Sequence, residues 1–195
     1  DTGKIMFREQ CLIGPDETVG EVHDKLMDLG SKLVVNTVEA IIENNVELRV
    51  QRSFIQGSEI LRPAPKLTRE LCHIDWNGKT KDIRGLSPYP AAFTELTKDD
   101  KVLQMKIYRT LKVTGEDYAA MLSASGLESA APGTVLSDGK TYLAVATADG
   151  AISVTELQLA GKKKMAVKDF LIGFREPESY GTTQGTSSQI TGKHA

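Results

Sequence analysis

Residues 134–159 read TVLSDGKTYLAVATADGAISVTELQL. Two Asp-Gly pairs, Asp138-Gly139 and Asp149-Gly150, stand between runs of aliphatic and β-branched residues. Asp-Gly tolerates the positive φ of a tight hairpin turn, so the stretch predicts three short antiparallel strands, near 134–136, 142–147 and 151–159. In the third, Ile152 and Val154 share one parity, whereas Leu157 and Leu159 share the other. A bulge near Thr155-Glu156 reconciles them, because one extra residue moves the following side chains to the opposite face. Short strands joined by such turns predict a small β-barrel.

Working outward, residues 102–113 predict a longer strand. Leu103, Met105, Ile107, Leu111 and Val113 share a parity that predicts a buried face. Gln104, Lys106, Tyr108, Thr110 and Lys112 share the polar one, and Arg109 alone breaks the alternation. Residues 91–96 are strand-like, 79–86 a short helix and 68–72 a helical turn. Residues 119–129 are small and read as a loop, and 167–176 as a last helix. The Gly/Ser/Thr-rich tail, 177–195, reads as disordered.

The first 45 residues have a different pattern. IMFREQCLI (5–13) is strand-like and is closed by Gly14-Pro15. Thr18 with Glu21 forms a capping-box pattern. Val22, Leu26, Leu29, Leu33, Val34, Val38, Ile41 and Ile42 then recur at helical spacing as far as Asn44-Asn45, with Gly30 as a possible kink. A strand followed by such a helix is the end of an α/β unit, and one strand with one helix needs something to dock on. Residues 46–65 lack periodicity and end in Arg62-Pro63-Ala64-Pro65, which predicts an extended linker. The expected organisation is therefore an α/β remnant (1–45), a linker (46–65), a barrel (66–176) and a tail (177–195).

Of the 195 residues, 40% are hydrophobic and the formal net charge is −2, which excludes global disorder and a uniformly basic binder. The charge is uneven. Residues 1–65 hold 7 Lys/Arg against 11 Asp/Glu, and residues 66–176 hold 16 against 14. Two cysteines, Cys11 and Cys72, are too few for a disulfide framework, and three scattered histidines argue against a metal site. No membrane-length apolar run or leader pattern occurs, so the expected setting is the reducing cytoplasm.

General motifs are absent: no P-loop, GxGxxG, HExxH or GxSxG. The turn Lys162-Lys163-Lys164 follows a strand and precedes a helix, which suits phosphate contact. Lys106, Lys112 and Arg109 extend it if they share its surface. The competing reading of each is a solvated charged face. Trp76 and Tyr89 have the chemistry to stack on bases, but aromatics this scarce are expected to anchor a core. Cys11 and Cys72 are expected to be inert thiols.

More telling is an ordered set of short motifs. Asp1-Thr2-Gly3-Lys4-Ile5, Ile74-Asp75-Trp76, Ser87-Pro88-Tyr89-Pro90, Ala131-Pro132-Gly133-Thr134 and Ala160-Gly161-Lys162-Lys163-Lys164-Met165 occur in sequence, followed by Asp169. Together they resemble the C-terminal part of the methionyl-tRNA formyltransferase family. The resemblance implies transfer of a formyl group from 10-formyltetrahydrofolate to the amino group of initiator methionyl-tRNA. It implies no metal, and a monomer is expected. It also implies a mixed architecture: the terminal strand and helix of an α/β formyltransferase domain, then an OB-like β-barrel that binds tRNA.

Residue by residue, the resemblance places a catalytic carboxylate at Asp1 and tRNA contacts at Lys162, Lys163 and Lys164; Lys106 and Lys112 are expected as further tRNA contacts from their place on the 102–113 strand, not from the resemblance. The family's oxyanion donors, an Asn and a His upstream of the aspartate, match no position here. The chain alone is therefore expected to be inactive, and its start at Asp1 reads as a cut in a longer protein. Where the family often carries a Ser cap, this sequence has Ala166, which leaves the following helix less well started. Two alternatives stay open: a standalone OB-like RNA-binding module, or a related formyltransferase acting on a nucleotide sugar.

Overall fold

The computed structural model describes residues 3–14, 17–55, 57, 66, 68–84 and 91–185. Asp1, Arg62-Pro63-Ala64-Pro65, Ser87-Pro88-Tyr89-Pro90 and residues 186–195 lie outside them. The chain divides into two compact units, Asp1–Lys66 and Leu67–Ala195.

In the first unit, helix α1 spans Val19–Ile42 and runs unbroken through Gly30. The Thr18 hydroxyl accepts from the Glu21 N–H at 3.4 Å, and the Thr18 N–H donates to Glu21 Oε2 at 2.7 Å, the reciprocal bonds of a capping box. Asn44 at φ 55° ends the helix while the Asn45 N–H reaches back to Ala40 O. Residues 5–13 do not form the expected strand. Ile5 exchanges two backbone bonds with Arg49 (2.8 and 3.0 Å), and this is an isolated bridge. A strand needs neighbours to satisfy its backbone, and the described residues of this unit offer one residue pair. Because of that bridge and the 3-10 turn Gln51–Phe54, residues 49–54 are part of the unit and not of an extended linker. The α1 helix has no fully buried residue, and Val34, Val38 and Ile42 are more than half or about half exposed.

The second unit is an antiparallel barrel. Its elements are α2 (Thr80–Arg84), β1 (Ala92–Lys98), β2 (Lys101–Val113), α3 (Gly115–Ala124), β3 (Val135–Ser137), β4 (Leu143–Ala146), β5 (Ala151–Leu159), β6 (Met165–Ala166), α4 (Val167–Gly173) and β7 (Gly181–Thr182). The strand order is β3-β4-β5-β2-β1-β7, with β6 on β5. Both Asp-Gly turns form. Asp138 accepts from the N–H groups of Lys140, Thr141 and Tyr142, with Gly139 at φ 70°. Gly150 is needed for closeness: a Cβ there would lie 2.5 Å from Val113 O. Beside it, Asp149 accepts from the Thr80 N–H (2.8 Å) and so starts α2.

Two clusters hold the barrel. Inside lie Ile74, Trp76, Leu96, Met105, Ile107, Val135, Leu143, Val145, Ile152, Val154, Leu157 and Phe170. On the outside of β3-β4-β5, Leu136, Ala144 and Ala151 pack with Leu122 of α3. This explains why Leu143, Ala144, Val145 and Ala146 form an unalternating apolar run: β4 is covered on both faces. The stretch read as a loop, 119–129, supplies that cover as the second half of α3. Small residues at Ala119, Ala120 and Ala124 are strong helix formers, and the weak apolar periodicity hid the helix.

The tail expected to be disordered from 177 is ordered as far as Gly185. The β7 strand pairs with β1 (Leu96 with Thr182, Thr97 with Gly181) and brings the barrel round to its other edge. There the Thr182 hydroxyl donates to Gly133 O (2.8 Å) and Gln184 Nε2 to Pro132 O (3.1 Å). Gln184 Oε1 accepts from the Trp76 N–H, and the Gly185 N–H donates to Ile74 O at 2.8 Å. Glycine is required at both contacts. A Cβ at Gly185 would sit 2.3 Å from His73 O, and at Gly133 2.7 Å from Thr182 Oγ1. Composition read as disorder because small polar residues usually cannot bury enough; here they fill a seam too narrow for larger ones.

Candidate nucleic-acid interface

After β5 the chain reverses at Gly161 (φ 74°), with the Lys162 N–H donating to Leu159 O at 3.0 Å. β6 then pairs back on β5, Met165 opposite Leu157. Lys162, Lys163 and Lys164 occupy the turn of this hairpin, and all three are exposed. The α4 helix follows, starting at Ala166 with no side-chain cap and running for seven residues. It is too short to supply the anion-binding dipole that the sequence order promised.

A chain of bonds shapes the turn. The Tyr108 hydroxyl donates to Gln158 Oε1 (2.7 Å), and Gln158 Nε2 donates to the Lys162 carbonyl (2.7 Å). The Lys164 ammonium lies 5.0 Å over the Tyr108 ring and 2.6 Å from Glu156 Oε2, with Arg109 Nε 3.9 Å from the same oxygen. That oxygen is shut off from solvent and no donor meets it along a hydrogen-bond axis, so the attraction is between charges. Among the described residues, Lys106, Lys162 and Lys163 have no carboxylate within 4.0 Å. The three lysines thus divide into one that is paired and two that are not.

Lys106 belongs with them. It stands opposite Gln158 on β5, on the outer face of the sheet. Lys112 does not. The register shifts between Ile107 and Thr110, leaving Tyr108 and Thr155 without partners. Past that point β2 turns over, and Lys112 pairs with the core residue Ile152. Lys106 and Lys112 therefore leave opposite faces, roughly 20 Å apart along the strand. The same shift leaves Leu111 57% exposed, against its parity. The bulge read at Thr155-Glu156 is present, and it has a counterpart on β2 at Tyr108, next to Arg109, where the alternation of 102–113 breaks.

Trp76 is fully buried, its indole N–H donating to the Thr94 hydroxyl at 3.1 Å, so it is a core anchor and not a base platform. Tyr89 and Asp1 lie outside the described residues. Cys72 is buried, and burial, with a lesser push from Glu70, raises its thiol pKa, which argues against a nucleophile; Cys11 is half-buried. Among the described residues no His, Cys, Asp and Glu side chains gather to hold a metal ion, and no helix is long and apolar enough to cross a membrane. Sequence reasoning missed Tyr108, Gln158 and Glu156. Their shared outer face depends on strand register, which no local pattern reveals.

Residues 66–175, the barrel with its basic turn, match the formyl transferase C-terminal domain family. The chain belongs to that family. Its relatives carry the same relationship beyond the domain itself. Proteins named methionyl-tRNA formyltransferase from Phocaeicola vulgatus, Bacteroides thetaiotaomicron and Parabacteroides distasonis are 45%, 43% and 40% identical to it, each over 92% of this chain. The chain spans about half the length of these relatives, 53–54%. Within the formyl transferase C-terminal domain, two of the motifs that carry the resemblance are structural. Ile74-Asp75-Trp76 and Ala131-Pro132-Gly133-Thr134 form the two sides of the seam that the 181–185 segment closes.

Proposed function

We propose that this chain is the C-terminal half of a methionyl-tRNA formyltransferase and that its barrel holds the tRNA. The observation that carries this reading is the 40–45% identity to proteins of that name along 92% of the chain, well beyond the barrel. Unpaired cations at Lys106, Lys162 and Lys163 support the tRNA contact, since phosphates supply most of the affinity of such an interface and positively charged side chains meet them. Lys164 is tied to Glu156, and Lys112 stands apart from the turn.

In the whole enzyme the methionyl amine would attack the formyl carbon of 10-formyltetrahydrofolate, Asp1 would take up the proton lost by the attacking nitrogen, and the bond from the formyl carbon to N10 would then break, so that tetrahydrofolate leaves with N10 protonated. The oxyanion donors belong to residues outside this chain. The setting proposed is the cytoplasm and the working unit a monomer. The reading is tested by supplying the full-length gene product with 10-formyltetrahydrofolate and methionylated initiator tRNA. Formylation that falls at least about 100-fold on Asp1→Asn is expected. A full-length product that binds the tRNA but never formylates it would leave the barrel as an RNA-binding module only.

A further inference from the structure

We propose that the RNA-contacting surface continues past the lysine turn as a single row across the outer face of the barrel, ending at Arg69. The proposal rests on the RNA-binding reading above. Phe93 stands opposite Lys106 between β1 and β2, and Lys106 opposite Gln158 between β2 and β5. On the far side His73 bridges to Phe93. Opposed residues of neighbouring strands share a face, so these four form one row about 15 Å long. The alternate positions, Ala92, Ile107 and Leu157, point into the core, which makes this row the outward one.

Each end of the row carries positive charge. At the β5 end Gln158 holds the Lys162 carbonyl, which fixes Lys162 and Lys163 beside the row. At the β1 end the Arg69 guanidinium lies 5.6 Å from the centre of the Phe93 ring. The His73 ring stacks on Phe93 at 4.9 Å and 10°, and its Nε2 meets the Thr183 hydroxyl at 2.9 Å. Phe93 is only 9% exposed, so it offers no face to a base. Its role is to seat Arg69, because a guanidinium over an aromatic ring is held by about 0.5–1 kcal/mol.

Arg69, Lys106, Lys162 and Lys163 then follow one another, none with a carboxylate within 4.0 Å among the described residues. The ligand that matches such a line is an RNA phosphodiester backbone, which carries one negative charge at every nucleotide. Glu95, opposite Gln104 one step along β1 on the same face, bounds the row with the wrong sign for RNA. The row thus contributes affinity and direction, and reads no base sequence.

The test is a salt titration of a fluorescent tRNA transcript against this chain. Arg69→Ala and Lys106→Ala are each expected to lower the slope of log K against log salt by about one, and the pair by about two. Glu95→Gln is expected to tighten binding, and Lys140→Ala, in the β3–β4 loop, to leave the slope unchanged. Circular dichroism checks that each variant is folded. If a Lys162→Ala/Lys163→Ala variant flattens the slope while Arg69→Ala and Lys106→Ala do not, the row is wrong and the turn alone binds. If the lysine-turn variant also leaves the slope unchanged, the RNA-binding reading falls and the row with it. Weaker binding by Glu95→Gln overturns the row too.

Discussion

Lys164 Nζ stands 2.6 Å from Glu156 Oε2, and this contact withdraws one lysine of the run from contact with an anion. Replacing Glu156 by Gln leaves the shape of the turn and releases the ammonium. The Lys164 side chain is half exposed and that of Glu156 one-third, and ion pairs with such access to solvent are worth ~0.2–1 kcal/mol, so tRNA binding is expected to tighten by up to about fivefold. Fluorescence anisotropy at about 0.1 M salt measures it, where surface charges still act over ~10 Å. Weaker binding by Glu156→Gln would show that the pair itself builds the site.

Barrel closure depends on single side chains. Gln184 satisfies the Trp76 N–H at 3.0 Å and the Pro132 carbonyl at 3.1 Å, groups on opposite sides of the seam. Gln184→Ala removes both bonds and is expected to cost about 1–3 kcal/mol in urea unfolding. Gly185→Ala is expected to cost more, because the new methyl would meet the His73 backbone at 2.3 Å, with no flexible side chain there to yield. A Gly185→Ala protein as stable as the parent would mean that the segment does not close the barrel.

Trp76 offers a clean separation of stability from binding. Trp76→Phe removes the donor to the Thr94 hydroxyl, which keeps only its 3.4 Å bond to Thr183 O, and shortens a fully buried ring, an expected loss of about 1–3 kcal/mol. Under conditions where the variant is folded, its affinity for tRNA is expected to equal the parent's. A drop in affinity without unfolding would return Trp76 to the interface.

Acid sensitivity is expected at the β3–β4 turn. Burial pushes the Asp138 carboxyl up, but bonds from the Thr141 hydroxyl and from the N–H groups of Thr141, Lys140 and Tyr142 outweigh it and hold the group well below the usual carboxylate range. The folded value is below the unfolded one, ~3.9, so the stabilisation is complete above that pH and is lost as pH falls toward the folded value. Asp149, lowered by the Thr80 hydroxyl and then the Thr80 N–H, acts in the same direction. Asp138→Asn is expected to be less stable at pH 7 and to show a smaller loss between pH 5 and 2, followed by thermal unfolding. An unchanged acid limb would put the sensitivity elsewhere.

Much of the fold was legible because its causes are local. The capping box at Thr18 and Glu21, the Asp-Gly hairpins and the parity break at Thr155-Glu156 each depend on residues a few positions apart. The misreadings share the opposite cause. The α3 helix was missed because its apolar contacts, Tyr118, Met121 and Leu122, answer to Leu136, Ala144 and Ala151 on another layer. Residues 181–185 looked dispensable because their value lies in fitting between Ile74, Trp76 and Gly133, far away in the chain.

The same division runs through the candidate site. By itself the sequence determined that a three-lysine turn sits between a strand and a helix, and that Lys106 lies on a polar strand face. Charge and alternation are properties of residue type and spacing. Only the tertiary structure decided which lysines act together. The paired bulges in β2 and β5 turn the strands over, which keeps Lys106 with Gln158 and carries Lys112 to the face of Ile152. Register is set by packing across strands, and a shift of one residue exchanges the faces, so no stretch of β2 read alone could have separated the two.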